Sequence, residues 1–184
     1  MPTFFSYFSR ERLLMILFAT LMAIVVLTAN IVLRYNYRDL FTWGSFVYPF
    51  VYLVLDLTNR SLGPKRARQV VYVGLTVAIA CSFVWAGVRI AIAAGIANAV
   101  SQLLDVFVFD QLRQARWWHA PLISSILAAI IDSYFFFSLA FVGTTTPWLL
   151  WATNNLIIIQ LMNVVVLLPF RLLIPYLITY QKTN

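Results

Sequence analysis

The sequence predicts an all-α integral membrane protein, a single-domain bundle of six transmembrane helices, and three observations carry that prediction. Apolar residues make up 62% of the chain and charged residues only 10%, with a mean hydropathy of +0.88. Soluble domains run nearer half apolar and a quarter charged. The apolar residues fall into six runs, each close to the roughly 20 residues a helix needs to cross the hydrocarbon core. The charged residues cluster between those runs, as loops at a membrane surface require.

The first run, Leu13–Leu33, follows a short segment carrying Arg10 and Arg12. It is too long for the apolar core of a cleavable signal peptide and has no small-residue cleavage site, so it reads as a retained span. The second, Phe41–Asn59, stops at Arg60, where a basic loop leads to Arg68. The third, Gln69–Val88, and the fourth, Arg89–Gln111, are separated only by Gly87 and Arg89. Their combined length of about 40 residues suits two crossings. The fifth is Pro121–Val142 and the sixth Pro147–Ile174, with Pro169 a candidate break in the last.

Orientation follows from the basic residues. Arg10, Arg12, Arg60, Lys65, Arg66, Arg68, Arg113, Arg116 and Lys182 fall on one side, and Arg34, Arg38 and Arg89 on the other. Nine against three places both termini in the cytoplasm. Trp117 and Trp118 then sit at the cytoplasmic interface, and Trp148 and Trp151 at the outer one, where aromatic side chains anchor in the headgroup region. Asp110 has Arg113 at i+3 and reads as a surface pair. Arg89 either snorkels to the outer interface or closes the mouth of a cavity by pairing with a carboxylate.

Composition also excludes functions. The net charge of +7 is dispersed between spans, so nucleic-acid binding is not expected. Cys81 is the only cysteine and His119 the only histidine, which leaves no internal disulfide and few zinc-enzyme designs. No HExxH, GxSxG or glycine-rich phosphate loop occurs, so neither an enzyme nor a metal or other cofactor is expected.

Three of the six acidic residues lie inside the runs: Asp56, Asp105 and Asp132. Each costs about 2.5–3.5 kcal/mol on insertion scales near a helix centre, so such residues turn inward and are commonly functional. Asp132 lies mid-span beside Ser133. Asp105 lies nearer the cytoplasmic end. Asp56 has Arg60 at i+4, and an ordinary intrahelical ion pair would account for it. Asn98, Ser101, Gln102 and Asp105 recur at spacings of three and four and share one helix face. That stripe fits either a helix–helix interface, where small and amide side chains bridge neighbours, or the wall of a polar cavity. Gln160 and Asn163, with Thr153 and Asn155, form a similar but weaker face on the last span.

Several patterns resemble a known family. They are Thr42-Trp43-Gly44-Ser45-Phe46, then Pro49-Phe50 and Leu55-Asp56-Leu57-Thr58, with Gly63 and Ala67-Arg68 beyond. Gln102-Leu103-Leu104-Asp105-Val106-Phe107-Val108-Phe109 follows, with Leu112-Arg113-Gln114, Trp117-Trp118, Pro121, Ser124 and Asp132-Ser133. Together they resemble the queuosine precursor transporter family, also called the vitamin uptake transporter family, over residues 40–142. Two features depart from it: the long outer connection between the third and fourth spans is nearly absent, and a lysine of the last span is replaced around Ile159 and Gln160.

The resemblance implies a bacterial inner-membrane importer of 7-cyano-7-deazaguanine and its aminomethyl relative, with a deazapurine and the bilayer as partners. Self-association into a homo-oligomer stays open. One carboxylate, Asp132 or Asp105, would accept the paired donors of the guanine-like edge. Gln102 and Asn98 would read the opposite edge, since amides both donate and accept. Phe46 would supply a stacking wall, and Asp56, Gln160 and Asn163 complete the candidate set. The rival readings are a vitamin-binding subunit of a multi-component uptake system and a non-transporting membrane scaffold.

Overall fold

The computed structural model describes residues 4–32, 36–37 and 41–177. The chain runs α1 (Phe4–Val32), a two-residue hairpin β1 (Asn36–Tyr37) and β2 (Phe41–Thr42), α2 (Gly44–Val47), α3 (Pro49–Leu62), α4 (Pro64–Trp85), α5 (Val88–Gln111), α6 (His119–Phe141) and α7 (Trp148–Leu177). Five of these helices, α1 and α4 to α7, are long and apolar enough to cross a membrane. Large apolar side chains stand exposed along them, among them Leu13, Ile16, Phe83, Ile92, Leu161 and Leu168. Water would not tolerate that surface, and lipid does. The chain is therefore a multi-pass, all-α membrane bundle.

The second predicted span falls on α2 and α3. Residues 44–62 do form one helical path, since Tyr48 between α2 and α3 keeps right-handed helical angles (φ −55°, ψ −39°). The path is interrupted at Pro49, which has no N–H to donate, and it begins three residues later than the apolar run suggested. The tight hairpin pairs Asn36 with Thr42 and Tyr37 with Phe41 and takes up the start of that run. The four residues of α2, Tyr48 and the 14 residues of α3 together rise about 28 Å, close to the thickness of the hydrocarbon core. Within that path α3 touches little lipid. Eleven of its residues are buried, including Asp56, Thr58, Asn59 and Ser61, and it packs against α1, α4, α5, α6 and α7.

The other boundaries move little. The α3–α4 and α4–α5 turns are made with Gly63 and Gly87, whose φ of +86° and +88° suit glycine; Ala86 and Gly87 are thus the whole connection between the third and fourth spans. The first helix starts well before Leu13, and the last runs to Leu177 through Pro169 and Pro175 without ending.

The helix ends sort as the basic residues predicted. Arg66 pairs with Glu11 at 2.8 Å, and Arg10 Nη2 donates to the Tyr176 carbonyl at 3.4 Å, so the starts of α1 and α4 meet the end of α7. The Arg113 guanidinium donates to Asn59, and Arg171 stacks 4.9 Å from the Trp117 ring, bringing the ends of α3 and α5 and the start of α6 to the same place. Arg171, overlooked in an apolar run, thus joins the basic end. Arg34, Arg38 and Lys182 lie outside the described residues. Asp110 does pair with Arg113, at 3.4 Å.

Close approach is built with small residues. A Cβ on Gly74 of α4 would lie 3.0 Å from Met22 Cγ of α1, and one on Gly95 of α5 would lie 3.2 Å from Ile79 Cδ1 of α4. Phe18, Met22 and Val26 fill the space between α1 and Val70, Val71 and Ala78 of α4. Overpacking a site like this costs about 1–3 kcal/mol. Gly74→Leu is therefore expected to lower the thermal unfolding midpoint in detergent, and adding Met22→Ala to restore much of it. A midpoint equally low in the double variant would show that the two residues do not share that space.

Candidate functional site

A cavity of about 360 Å³ opens in the half of the bundle away from the basic loops. Its lining starts at mid-depth with Gln102 of α5 and Asp132 of α6 and reaches Trp85, Ala86 and Phe141 at the helix ends opposite the basic cluster. The size lies within the roughly 300–1,000 Å³ range of small-molecule sites.

Three polar groups face it. On the floor, Asn98 and Gln102 of α5 stand beside Asp132 and Ser133 of α6. The Ser101 hydroxyl donates to Asp132 Oδ1 at 3.0 Å, and the Tyr48 hydroxyl donates to Asn98 Oδ1. On one flank, Thr42 and Ser45 surround Asn155 Oδ1. On the other, Asn30 of α1 and Ser82 of α4 lie 3.5 Å apart, with Cys81 next to them. Between these stand aromatic rings, namely Tyr48, Phe136, Phe137, Phe141, Trp85 and Trp151. The Phe137 and Phe141 rings stack at 6.0 Å, and Trp151 meets Phe141 edge-on at 5.8 Å.

Two floor atoms are unspent. Gln102 Oε1 and Ser133 Oγ are buried and make no hydrogen bond within the protein. Leaving a buried polar atom unpaired costs about 1–3 kcal/mol, a cost a polar ligand can remove. With a carboxylate and amides on the floor and flat rings on the walls, the cavity can hold a planar heterocycle with donors on one edge and mixed groups on the other.

The sequence candidates divide between this cavity and its surroundings. Asp132, Gln102 and Asn98 line it. Asp105 is fully buried one turn below Gln102, and Asp56 lies at the same lower level; neither is on the cavity wall. Asp56 is not paired with Arg60, whose guanidinium donates to the Arg113 carbonyl. Phe46 packs on Trp43 at 5.6 Å and is not among the lining residues. Gln160 donates to the Ile126 carbonyl at 3.1 Å and accepts from Asn163 at 3.2 Å, so this pair ties α7 to α6.

Sequence reasoning passed over Tyr48, whose place before a mid-membrane proline was the available signal. It also read Trp151 as a headgroup anchor, whereas the ring lines the cavity mouth. Among the described residues Arg89 pairs with no carboxylate: its guanidinium caps the end of α6 by donating to the Leu139 and Val142 carbonyls.

Below the floor the bundle is shut. Asn59 Nδ2 donates to the Val106 carbonyl at 2.9 Å, and Arg113 Nη2 donates to Asn59 Oδ1 at 2.7 Å. Burial lowers the Arg113 guanidinium from its ordinary value, and Asp110 acts in the opposite direction. These bonds fasten α3 to the α5–α6 connection across the basic end.

A helical bundle with a polar, aromatic-walled cavity open to one end and sealed at the other has the architecture of a small-molecule membrane transporter. The family described as "Putative vitamin uptake transporter" matches residues 42–88 and 82–178, and the chain belongs to that family. The two matched pieces meet at the α4–α5 turn, where the outer connection is short. The "Probable queuosine precursor transporter" of Haemophilus influenzae is 36% identical over 129 residues, covering 59% of this chain and 55% of that protein. The "Queuosine precursor transporter" of Escherichia coli is 37% identical over 121 residues, covering 54% and 55%. The "Probable queuosine precursor transporter" of Bacillus subtilis is 25% identical over 130 residues. This chain spans about half the length of the curated relatives it matches. No solved structure matches it significantly.

The only cysteine tests the shape of the cavity. A membrane-impermeant maleimide is expected to label Cys81 when added to the side opposite the basic loops and to leave it unlabelled from the basic side. Cys81→Ser should remove the signal. Equal labelling in right-side-out and inverted vesicles would mean that the cavity is not closed at one end.

Proposed function

We propose that this protein imports queuosine precursors, 7-cyano-7-deazaguanine or 7-aminomethyl-7-deazaguanine, across the bacterial inner membrane. The basic end faces the cytoplasm, as the positive-inside asymmetry favours, and the cavity takes substrate from outside. The observation that carries this reading is the cavity floor, where a carboxylate and two amides converge from α5 and α6 below aromatic walls. Family membership and the names of the relatives support the same substrate class.

The recognition is complementary. A 7-deazaguanine presents a ring N–H and an exocyclic amine side by side, and the Asp132 carboxylate accepts both. Ser101 holds one carboxylate oxygen and so fixes its direction. Gln102 and Asn98 pair with the carbonyl and pyrrole groups, and the bicyclic ring stacks on the Phe136–Phe137 side. Among the sequence candidates, Asp132, Gln102 and Asn98 therefore bind substrate, while Phe46, Gln160 and Asn163 support the helices around it. Release inward requires the Asn59–Arg113 fastening to part, the usual order of alternating access. No cofactor and no bond-making step is needed, so the protein acts as a carrier and not as an enzyme.

The test is uptake of labelled 7-cyano-7-deazaguanine into cells lacking both precursor synthesis and their own importer. A hydrogen bond to a charged group is worth about 1.5–3 kcal/mol, so Asp132→Asn should cut uptake by roughly 10- to 100-fold at normal membrane levels. Thr76→Val, at an exposed position of α4 whose hydroxyl bonds the Tyr72 carbonyl, should transport normally. Undiminished uptake by Asp132→Asn would remove this carboxylate from the substrate site.

A further inference from the structure

Beneath the cavity lies a second group of acids that substrate recognition does not use. Asp105 of α5 is 0% exposed, and neither of its carboxylate oxygens accepts a hydrogen bond. Asp56 of α3 is 3% exposed and faces it within electrostatic range. Ser124 of α6 stands between them, 3.5 Å from Asp56 Oδ1 and beside Asp105. Tyr52 of α3 is buried, its hydroxyl has no partner, and it lies in the field of both Asp105 and Asp132. A separate void of about 10 Å³, lined in part by Asp56, Tyr52, Ser125 and Asn163, adjoins the pair; that is room for about one water.

Among the described residues no base pairs with these acids. Neither Asp56 nor Asp105 enters an ion pair among the described residues. Arg113 is engaged by Asp110 and Asn59, and Arg60 by the Arg113 carbonyl. Among the elements packed around the pair, α3 contributes Tyr52 and, just before its start, Tyr48, while α6 contributes Asp132 from the cavity side. Two carboxylates in apolar surroundings without a cation cannot both stay ionised, so one positive charge must be supplied. No group of three or more His, Cys, Asp or Glu side chains that could hold a metal ion occurs among the described residues, so the pair lacks the ligand set of a divalent-metal site.

We propose that Asp56 and Asp105, with Ser124 between them, form a proton-binding site below the substrate cavity, and that a proton passing through it drives import. This rests on the importer reading above. The step is balanced: a proton from outer water, arriving by way of Asp132 and Tyr52, binds a carboxylate of the pair. The same O–H bond breaks to inner water when the basic end opens, and no other reactant is consumed. Loading neutralises charge on the face of α3 that packs on α5 and α6, the face that must slide for the Asn59–Arg113 fastening to part.

The experiment uses the full-length purified protein in proteoliposomes with labelled 7-cyano-7-deazaguanine, in two modes. Counterflow exchange without any gradient reports substrate binding and passage without coupling to a proton gradient. Net accumulation under an imposed pH gradient, interior alkaline, reports coupling; one pH unit drives about tenfold accumulation per proton carried. Wild type should do both. Asp105→Asn and Asp56→Asn should keep exchange within about twofold and lose the roughly tenfold accumulation. Retained exchange also shows that the variants are folded. Gradient-driven accumulation that survives in both variants would overturn the proton site, as would wild-type accumulation that follows a sodium gradient and ignores pH. Wild type that fails to exchange would instead overturn the importer reading, and the proton site with it.

Discussion

A helix that carries Asp56, Thr58, Asn59 and Ser61 can lie inside a membrane only where other helices hide those polar side chains from lipid. The burial of α3 is that constraint, and the rest of this bundle follows from it. Its Thr58 and Ser61 hydroxyls return to carbonyls one turn back, and Asn59 reaches across to the Val106 carbonyl. Those bonds satisfy α3 toward the basic end. Toward the other end the helical path passes through Pro49 to Tyr48 and α2, and Gly44, Ser45 and Tyr48 line the cavity. The same path therefore carries the seal at one end of the bundle and part of the cavity wall at the other.

The five surrounding helices tolerate this because they need no apolar attraction for one another in lipid. They associate through close packing and a few polar bonds. Gly74 against Met22 and Gly95 against Ile79 show the packing, and Gln160 to the Ile126 carbonyl shows the bonding. On the α5–α6 seam, Ser101 to Asp132 is both an interhelical bond and the support of a group on the cavity floor. The stripe of Asn98, Ser101, Gln102 and Asp105 thus unites the two meanings that spacing alone left open: its upper residues wall a cavity while Asp105 sits in a closed interface.

How much was legible in the sequence depends on what each residue depends on. Five spans and their polarity were readable because hydropathy and loop charge are local quantities that the bilayer enforces directly. The interruption at Pro49 was less so: the apolar run Phe41–Asn59 has the length of a span, and nothing in its composition says that neighbours will shield a helix that starts late. Asp132, Gln102 and Asn98 were readable as inward-facing because an amide or carboxylate in lipid is costly. Which inward surface each would meet was not. Asp105 and Gln102 differ by one turn, yet one is enclosed and the other borders the cavity, and that difference is set by α3 on a remote part of the chain. Trp151 misled for a related reason, since a tryptophan near a helix end satisfies both a headgroup belt and a cavity rim.

The two polar layers along the axis of the bundle behave differently under exchange of their contents. A planar solute on the upper floor can satisfy Gln102 Oε1 and Ser133 Oγ by its own donors, so that layer is relieved by substrate. The lower layer has no space for such a solute: Asp105 is enclosed, and the void beside Asp56 is of water size. A proton is small enough to relieve it, and a deazapurine is not. Since Tyr52 lies in the field of Asp132 above and Asp105 below, charge on one layer is felt by the other, and the free energy of the bundle depends on both fillings together. A carrier needs that dependence, because a seal indifferent to the contents of the cavity would leak or stay shut.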